Sequence, residues 1–272
     1  MSLGVVIKGP EGVVLAADSR VTLKAQREGG PPMPVNFDNA TKLLSFERPH
    51  NFVAAVTYGD AVIGLRTAHS FIPEFELTLK GEDRLKVHEF ARKLSNFFLE
   101  RWREANKHIE TPQDYSGSGM VFVVGGYDPD AAYGSVFLFQ IPQEPELSPR
   151  NPGENDFGIT WGGQLEVGSR LIQGYDPALV DVLRQTLNLD EQKTNELLQQ
   201  FRMRLGFQIP YQVLPLQDCV DLATFLIRST ITLQRLAVGL RGVGGPIEVA
   251  IITRTGGLEY IQRKEIRGED RT

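Results

Sequence analysis

The residue of this chain best suited to nucleophilic chemistry is a serine that follows the initiator methionine. Removal of Met1 would leave Ser2 with a free α-amine beside its hydroxyl. A hydroxyl is a weak nucleophile until a base takes its proton. An α-amine, whose ordinary pKa is about 7.7 to 8.0, is partly neutral at cytosolic pH and can act as that base. Nucleophile and base would then belong to one residue.

Two short strands must position this serine. Residues 3–8 and 13–17 are rich in β-branched side chains, and the turn-forming residues 9–12 lie between them, which predicts a β-hairpin. If Lys8 pairs with Val13, residue 2 faces residue 19.

A slip of one position in this register would place Ser2 beside Asp18 or Arg20 instead. In each register an acid and a base lie near the nucleophile. The same residues also fit an ordinary terminal serine beside a solvated, charged turn.

The hairpin resembles the start of a proteasome β-type subunit, in which a terminal threonine begins the first strand and Ala-Ala-Asp-Ser-Arg ends the second, as residues 16–20 do here. In that family the acid follows the nucleophile by sixteen positions, which is the spacing from Ser2 to Asp18. Later blocks resemble the strand of the family's catalytic lysine, its oxyanion strand with the following helix, and two later strands. These blocks are residues 39–46, 52–61, 120–128 and 247–259.

The resemblance implies an α+β fold, namely the four-layer αββα sandwich of N-terminal nucleophile hydrolases. The order of predicted elements, with runs of strands alternating with runs of helices, agrees with an α+β class. We expect one domain over residues 1–263 and a charged, disordered tail over 264–272.

Three segments have specific predictions. Gly and Pro residues predict a loop over 21–39 and an exposed loop over 143–155, and apolar spacing predicts a helix from Gly59 to about Phe71.

By the same resemblance, Lys42 is the cation beside Ser2, Asp18 is its partner, Arg20 fixes the turn and Gly59 donates to the oxyanion. We expect the Gly59 N–H to lie at the start of the predicted helix, where free donors and the helix dipole favour negative charge. The resemblance also implies a set of small or apolar residues beside the scissile bond, which predicts a hydrophobic preference. This set is Val21, Ala40, Leu44, Thr57, Ala61 and Leu65.

Some positions depart from the pattern of active proteasome subunits. Gly163 stands where the family has a supporting serine, Leu240 and Val243 stand in place of an aspartate and a second serine, and Ser2 replaces threonine. The run 242–246 is closer to the Anbu branch, the ancestral beta subunit, which has a Val-Gly-x-Pro turn there.

Composition limits the partners of the chain. Its 272 residues carry a formal charge of −5, with neither a long basic run nor an apolar stretch long enough for a membrane span, so we expect neither nucleic acid nor membrane as a partner. The single cysteine, Cys219, fits a reducing, cytoplasmic location. The four histidines lack metal-ligand spacing, and we expect no metal and no cofactor.

The sequence therefore favours a serine-type N-terminal nucleophile peptidase that acts on peptides or unfolded proteins within a homo-oligomeric ring or helical stack, with an ATPase as a further partner. One alternative is an inactive structural subunit of a similar assembly. The missing family residues favour it, whereas the absence of an extra helix before the hairpin disfavours it. Another alternative is an amidohydrolase or peptide ligase that uses the same nucleophile.

Overall fold

The computed structural model describes residues 2–25, 30, 33–239, 241–266 and 268. Within these ranges the chain forms antiparallel sheets and six α-helices. The strands are β1 (Leu3–Lys8), β2 (Val13–Ala17), β3 (Val21–Ala25), β4 (Met33–Phe37), β5 (Leu43–Ser45), β6 (Val53–Gly59), β7 (Met120–Gly126), β8 (Ser135–Ile141), β9 (Glu144–Arg150), β10 (Gly158–Gly163), β11 (Glu248–Thr253) and β12 (Gly257–Gln262). The helices are α1 (Ala68–Thr78), α2 (Val87–Ala105), α3 (Glu166–Gln173), α4 (Leu179–Leu187), α5 (Glu191–Leu205) and α6 (Leu216–Leu236).

Two five-stranded sheets carry the strands that surround Ser2. One has the order β10-β1-β2-β11-β12 and the other β5-β6-β7-β8-β9, while β3 and β4 form a separate two-stranded sheet. The predicted hairpin register is confirmed, because Lys8 pairs with Val13 and Gly4 with Ala17. Every residue of β1 and β2 is buried, which explains why both strands, apart from Lys8 at the end of β1, are continuous apolar runs rather than alternating ones.

The two large sheets share a core. Val6, Leu15 and Ala250 of the first sheet pack with Val56 and Val123 of the second. On its other face the second sheet packs against α1 and α2, and α6 packs against β1 and β2 of the first sheet. The strands that carry Ser2 and its neighbours are therefore held on both faces by apolar packing.

The chain divides into two compact units. The first comprises Met1–Gly163 and Tyr211–Thr272, and the second comprises Gln164–Pro210. The second unit contains α3, α4 and α5 around a small core of Tyr175, Leu183 and Leu198. Among the described residues, no helix has both the length and the apolar character to cross a membrane.

Two predicted loops contain strands instead. In 143–155 the prolines led to a loop prediction, but Glu144–Arg150 forms the edge strand β9, where a residue without an N–H can be tolerated. In 21–39 the same reasoning missed the pairing of β3 with β4, although residues 26–29 and 31–32 lie outside the described part of the chain.

The predicted helix start at Gly59 is also wrong, because α1 begins at Ala68. Residues 60–67 turn instead: Ile63 pairs with Arg66, and Gly64 adopts a left-handed φ of 61° that an α-helix does not contain.

Truncation of the aromatic core under the second sheet should destabilise the fold. Phe75 of α1 is fully buried, with ring centroids 5.4 Å from both Phe90 and Phe97. We expect Phe75→Ala to lower the free energy of unfolding by about 3 to 5 kcal/mol through lost contacts and the cavity left behind. Urea titration measures this change. Leu77→Ala on the same helix is the control, because Leu77 is 69% exposed and its loss should cost little. Equal losses in the two variants would contradict this packing.

Candidate active site

Ser2 lies immediately before β1 and lines a small cleft of about 20 Å³. That volume has room for about one water molecule. The residue is only 5% exposed, because β2 and β10 flank β1 on both sides. The lining of the cleft comprises Ser2, Val21, Ala40, Thr41, Lys42, Thr57, Tyr58, Asp60, Ala61, Thr67 and Ala68.

The carboxylate of Asp18, just beyond the end of β2, is buried and accepts four hydrogen bonds. Oδ1 accepts from Lys42 Nζ at 2.7 Å and from the Leu3 N–H at 2.9 Å. Oδ2 accepts from the N–H groups of Arg20 at 3.1 Å and Gly244 at 2.9 Å. Since the Leu3 N–H belongs to the residue next to Ser2, the carboxylate fixes the start of β1 and the lysine together.

Lys42 lies just before β5, and its ammonium group is fixed from two directions. It donates to the Asp18 carboxylate and to the carbonyl of Arg20, and its side chain is only 5% exposed. Burial lowers the pKa of Lys42 from its ordinary 10.5, although Asp18 acts in the opposite direction. The nearby cations Lys264 and Arg20 lower it further. A cation that loses its proton more readily than an ordinary lysine thus lines the same cleft as Ser2.

The side chain of Arg20 supports the turn. Its Nε and Nη2 atoms donate to the two carboxylate oxygens of Asp38, at 2.5 and 2.8 Å, and Nη1 donates to the carbonyl of Arg241 at 3.1 Å. This contact holds the pKa of Asp38 below its usual value. The Arg20 backbone reaches Lys42 and Asp18, so the residue joins the ion pair to the 241–244 segment.

Gly59 ends β6 with a φ of 91°, and a Cβ atom there would lie 2.3 Å from the carbonyl oxygen of Gly119. The position therefore requires glycine. Its neighbours Tyr58 and Asp60 line the cleft. The helix expected directly after Gly59 is not there, and the first turn of α1 reaches the cleft through Thr67 and Ala68 instead.

The structure brings four of the six predicted pocket residues to the cleft, namely Val21, Ala40, Thr57 and Ala61. Leu44 is fully buried in the core between the second sheet and helices α1 and α2. Leu65 is fully exposed in the turn before α1. Neither of these two leucines is among the residues that line the cleft.

Sequence reasoning missed five lining residues, which are Thr41, Tyr58, Asp60, Thr67 and Ala68. The Asp60 carboxylate accepts from the Tyr115 hydroxyl at 2.7 Å and from the Gly119 N–H at 3.0 Å. Burial raises the pKa of Tyr58 to about 12, so its phenol stays neutral. Of these five, Thr67 could have been found as a helix start, because threonine is favoured at that position, although its side chain forms no capping hydrogen bond here.

Two of the positions that depart from the family pattern lie close to backbone groups of the site. At Gly163, with a φ of 97°, a Cβ atom would lie 2.0 Å from the carbonyl oxygen of Ser2, so the serine expected from the resemblance has no room. Next to Val243, the Gly244 N–H donates directly to Asp18. Leu240 lies outside the described residues.

Removal of the Asp18 charge should leave the Lys42 ammonium buried without a counter-charge. We expect Asp18→Asn to lower the free energy of unfolding by about 3 to 5 kcal/mol, measured by urea titration. Asp38→Asn is the matched control, because Asp38 is 45% exposed and pairs with Arg20 near solvent, where an ion pair contributes about 1 kcal/mol or less. The double variant Asp18→Asn, Lys42→Met should regain part of the loss. A loss in Asp18→Asn no larger than in Asp38→Asn would contradict the assignment.

Within the described ranges, no group of three or more His, Cys, Asp or Glu residues is placed to hold a metal ion. No protein-family model matches the sequence, and no curated protein matches it either.

Solved structures do match the fold. One is a Gly-1 mutant of Anbu from Hyphomicrobium sp. strain MC1, with a TM-score of 0.57 and 16% identity over 100% of this chain and 89% of that one. Another is Anbu, the ancestral beta-subunit, from Yersinia bercovieri, with a TM-score of 0.53 and 15% identity over 95% of this chain and 86% of that one. The likeness to Anbu predicted from the sequence is confirmed in the fold, which this chain shares with these Anbu structures.

Proposed function

We propose that this chain is an N-terminal nucleophile peptidase of the proteasome β type, in which Ser2 attacks the substrate after Met1 has been removed. The observation that carries the proposal is the buried ion pair of Lys42 and Asp18 at the cleft that Ser2 lines. A buried lysine with a lowered pKa in the same cleft as a hydroxyl is the type of environment that activates a nucleophile.

In the proposed reaction, Ser2 Oγ attacks the carbonyl carbon of a peptide bond. Its proton passes to the neutral α-amine of the same residue through a water molecule, for which the cleft has room. The C–N bond then breaks, the leaving amine takes up that proton, and the acyl group remains on Ser2 as an ester. Water attacks the ester and gives a proton to the α-amine. Cleavage of the ester C–O bond returns the proton to Oγ and releases the acid.

Lys42 supports two parts of this reaction. Its positive charge lowers the pKa of the nearby α-amine, so that more of the amine is neutral, and it stabilises the developing alkoxide. Asp18 keeps the ammonium charged and oriented. Gly59 remains the proposed oxyanion donor, because Tyr58 and Asp60 on either side of it line the cleft, although Gly59 itself is not among the lining residues.

The wider proposal is a proteasome-like core subunit that degrades peptides or unfolded proteins as a cytoplasmic homo-oligomer, with an ATPase partner. The Anbu structures, one of them of the ancestral beta-subunit from Yersinia bercovieri, support a subunit of this kind. The four-layer αββα arrangement belongs to the same proposal. It is supported by the packing of α2 on one five-stranded sheet and of α6 on the other.

A second candidate is an inactive structural subunit. The observation that favours it is the lack of space at Gly163. A Cβ atom there would collide with the Ser2 carbonyl, so the family's supporting serine cannot be accommodated. The fold would then be kept without the chemistry.

Two measurements on the purified protein test the peptidase proposal. Intact mass should show that Met1 has been removed, and a peptide epoxyketone should label Ser2. Labelling should be lost in Ser2→Ala and kept in the control Ser118→Ala, which changes an exposed serine. Retention of Met1 would overturn the catalytic proposal, because the amine would no longer belong to Ser2. Processed protein that fails to label would favour the structural subunit.

The pH profile of the labelling rate should have a rising limb and a falling limb. The rate should rise as the α-amine loses its proton and should fall as Lys42 loses its own. Because burial lowers the pKa of Lys42, the falling limb should lie below pH 10.5. Labelling rates measured from pH 6 to pH 11 test this expectation. A rate that stays constant through pH 10.5 would exclude a charged Lys42 from the reaction.

A further inference from the structure

A second lysine reaches the wall of the cleft from the far end of the sequence. Lys264, which the sequence assigns to the charged tail, follows β12. Its Nζ donates to the carbonyl of Ala40 at 2.8 Å and to Glu248 Oε2 at 3.0 Å. Its side chain is 12% exposed and that of Glu248 is 4% exposed. The contact is therefore largely shielded from solvent, unlike an ordinary surface ion pair.

Lys264 is held in place through β11, which pairs with β2, the strand that ends just before Asp18. Glu248 is the first residue of β11 and pairs with Ala17, the residue before Asp18. A buried carboxylate requires a cation or several donors nearby, and Lys264 supplies the cation. The side chain of Gln262 also donates to the carbonyl of Ile247 at 2.7 Å, which ties the end of β12 to the segment before β11.

The peptide groups of Ala40 are held on both sides. Its N–H donates to the Ser19 carbonyl at 2.9 Å, and its carbonyl accepts from Lys264. Ala40, Thr41 and Lys42 are consecutive and all line the cleft. Removal of the Lys264 ammonium would leave the Ala40 carbonyl without this donor and would loosen one of the contacts that hold the wall next to Lys42.

Lys264 also acts through its charge on two other groups. The pKa of Lys42 is lowered mainly by burial and also by Lys264 and Arg20, against the effect of Asp18. The pKa of His69 on α1 is lowered by burial first and then by Lys264 and Arg263, against Glu248. Both groups should titrate at higher pH when this cation is removed.

We propose that Lys264 is a positioning residue of the candidate site: held by Glu248, it fixes the Ala40 carbonyl and thereby the wall of the cleft that carries Lys42. The part of this proposal that concerns reaction rates rests on the proposed peptidase function. The part that concerns geometry and charge does not.

The test compares Lys264→Met and Lys264→Arg with Lys93→Met in the full chain. Lys93→Met is a matched control, because it also removes one lysine–glutamate pair. Lys93 of α2 binds Glu82 at 2.8 Å, in a more exposed place than Lys264. NMR titration follows the side-chain resonance of Lys42, assigned with Lys42→Arg, and the imidazole of His69. Both midpoints should move to higher pH in Lys264→Met, return toward the original values in Lys264→Arg and stay unchanged in Lys93→Met.

The rate of epoxyketone labelling supplies the second measurement. In Lys264→Met it should fall about tenfold, the loss expected for one hydrogen bond from a charged donor, and Lys264→Arg should restore most of it. The amide resonance of Thr41 reports on the contact itself, because the Thr41 N–H shares its peptide group with the Ala40 carbonyl that Lys264 binds. An unchanged Thr41 resonance in folded Lys264→Met would overturn the proposal, whether or not the protein labels. A shifted Thr41 resonance in a protein that never labels would support the role of Lys264 and count against the peptidase alone.

Discussion

The candidate site depends on one buried carboxylate. Asp18 accepts from a lysine side chain and from three backbone N–H groups that belong to separate segments of the chain. A carboxylate buried without such partners would be strongly destabilising. The four donors therefore have to converge, and with them the start of β1, the turn at Arg20, the lysine before β5 and the Gly244 turn.

The four donors can converge on Asp18 only if the backbone segments approach one another closely. Glycines occupy the positions where the chain passes too close to itself for a side chain, as at Gly59 against Gly119 and at Gly163 against Ser2. At Asp18 a backbone group, the N–H of Gly244, completes the set of donors. A backbone donor cannot be recognised from residue identity, which is why the contact between Gly244 and Asp18 could not be predicted from the sequence.

Local signals predicted the hairpin well. A four-residue turn between two β-branched runs leaves few registers, and the one counted from Lys8 and Val13 is the register observed. The predictions failed where tertiary context overrides local signals. The prolines of β9 are accommodated at a sheet edge, and Gly64 interrupts an apolar spacing that otherwise indicates a helix. Lys264 could not be assigned to the cleft from sequence, because its partners lie up to 224 positions away.

The distance along the chain between Asp18 and Gly244 has a consequence for synthesis. The donor at Gly244 lies 226 residues after the carboxylate that it binds. A chain still on the ribosome therefore lacks this donor until Gly244 has been made and has left the exit tunnel. The arrangement around Ser2 can be completed only after that point, so a nascent chain that ends before Gly244 does not hold the assembled candidate site next to other newly made protein.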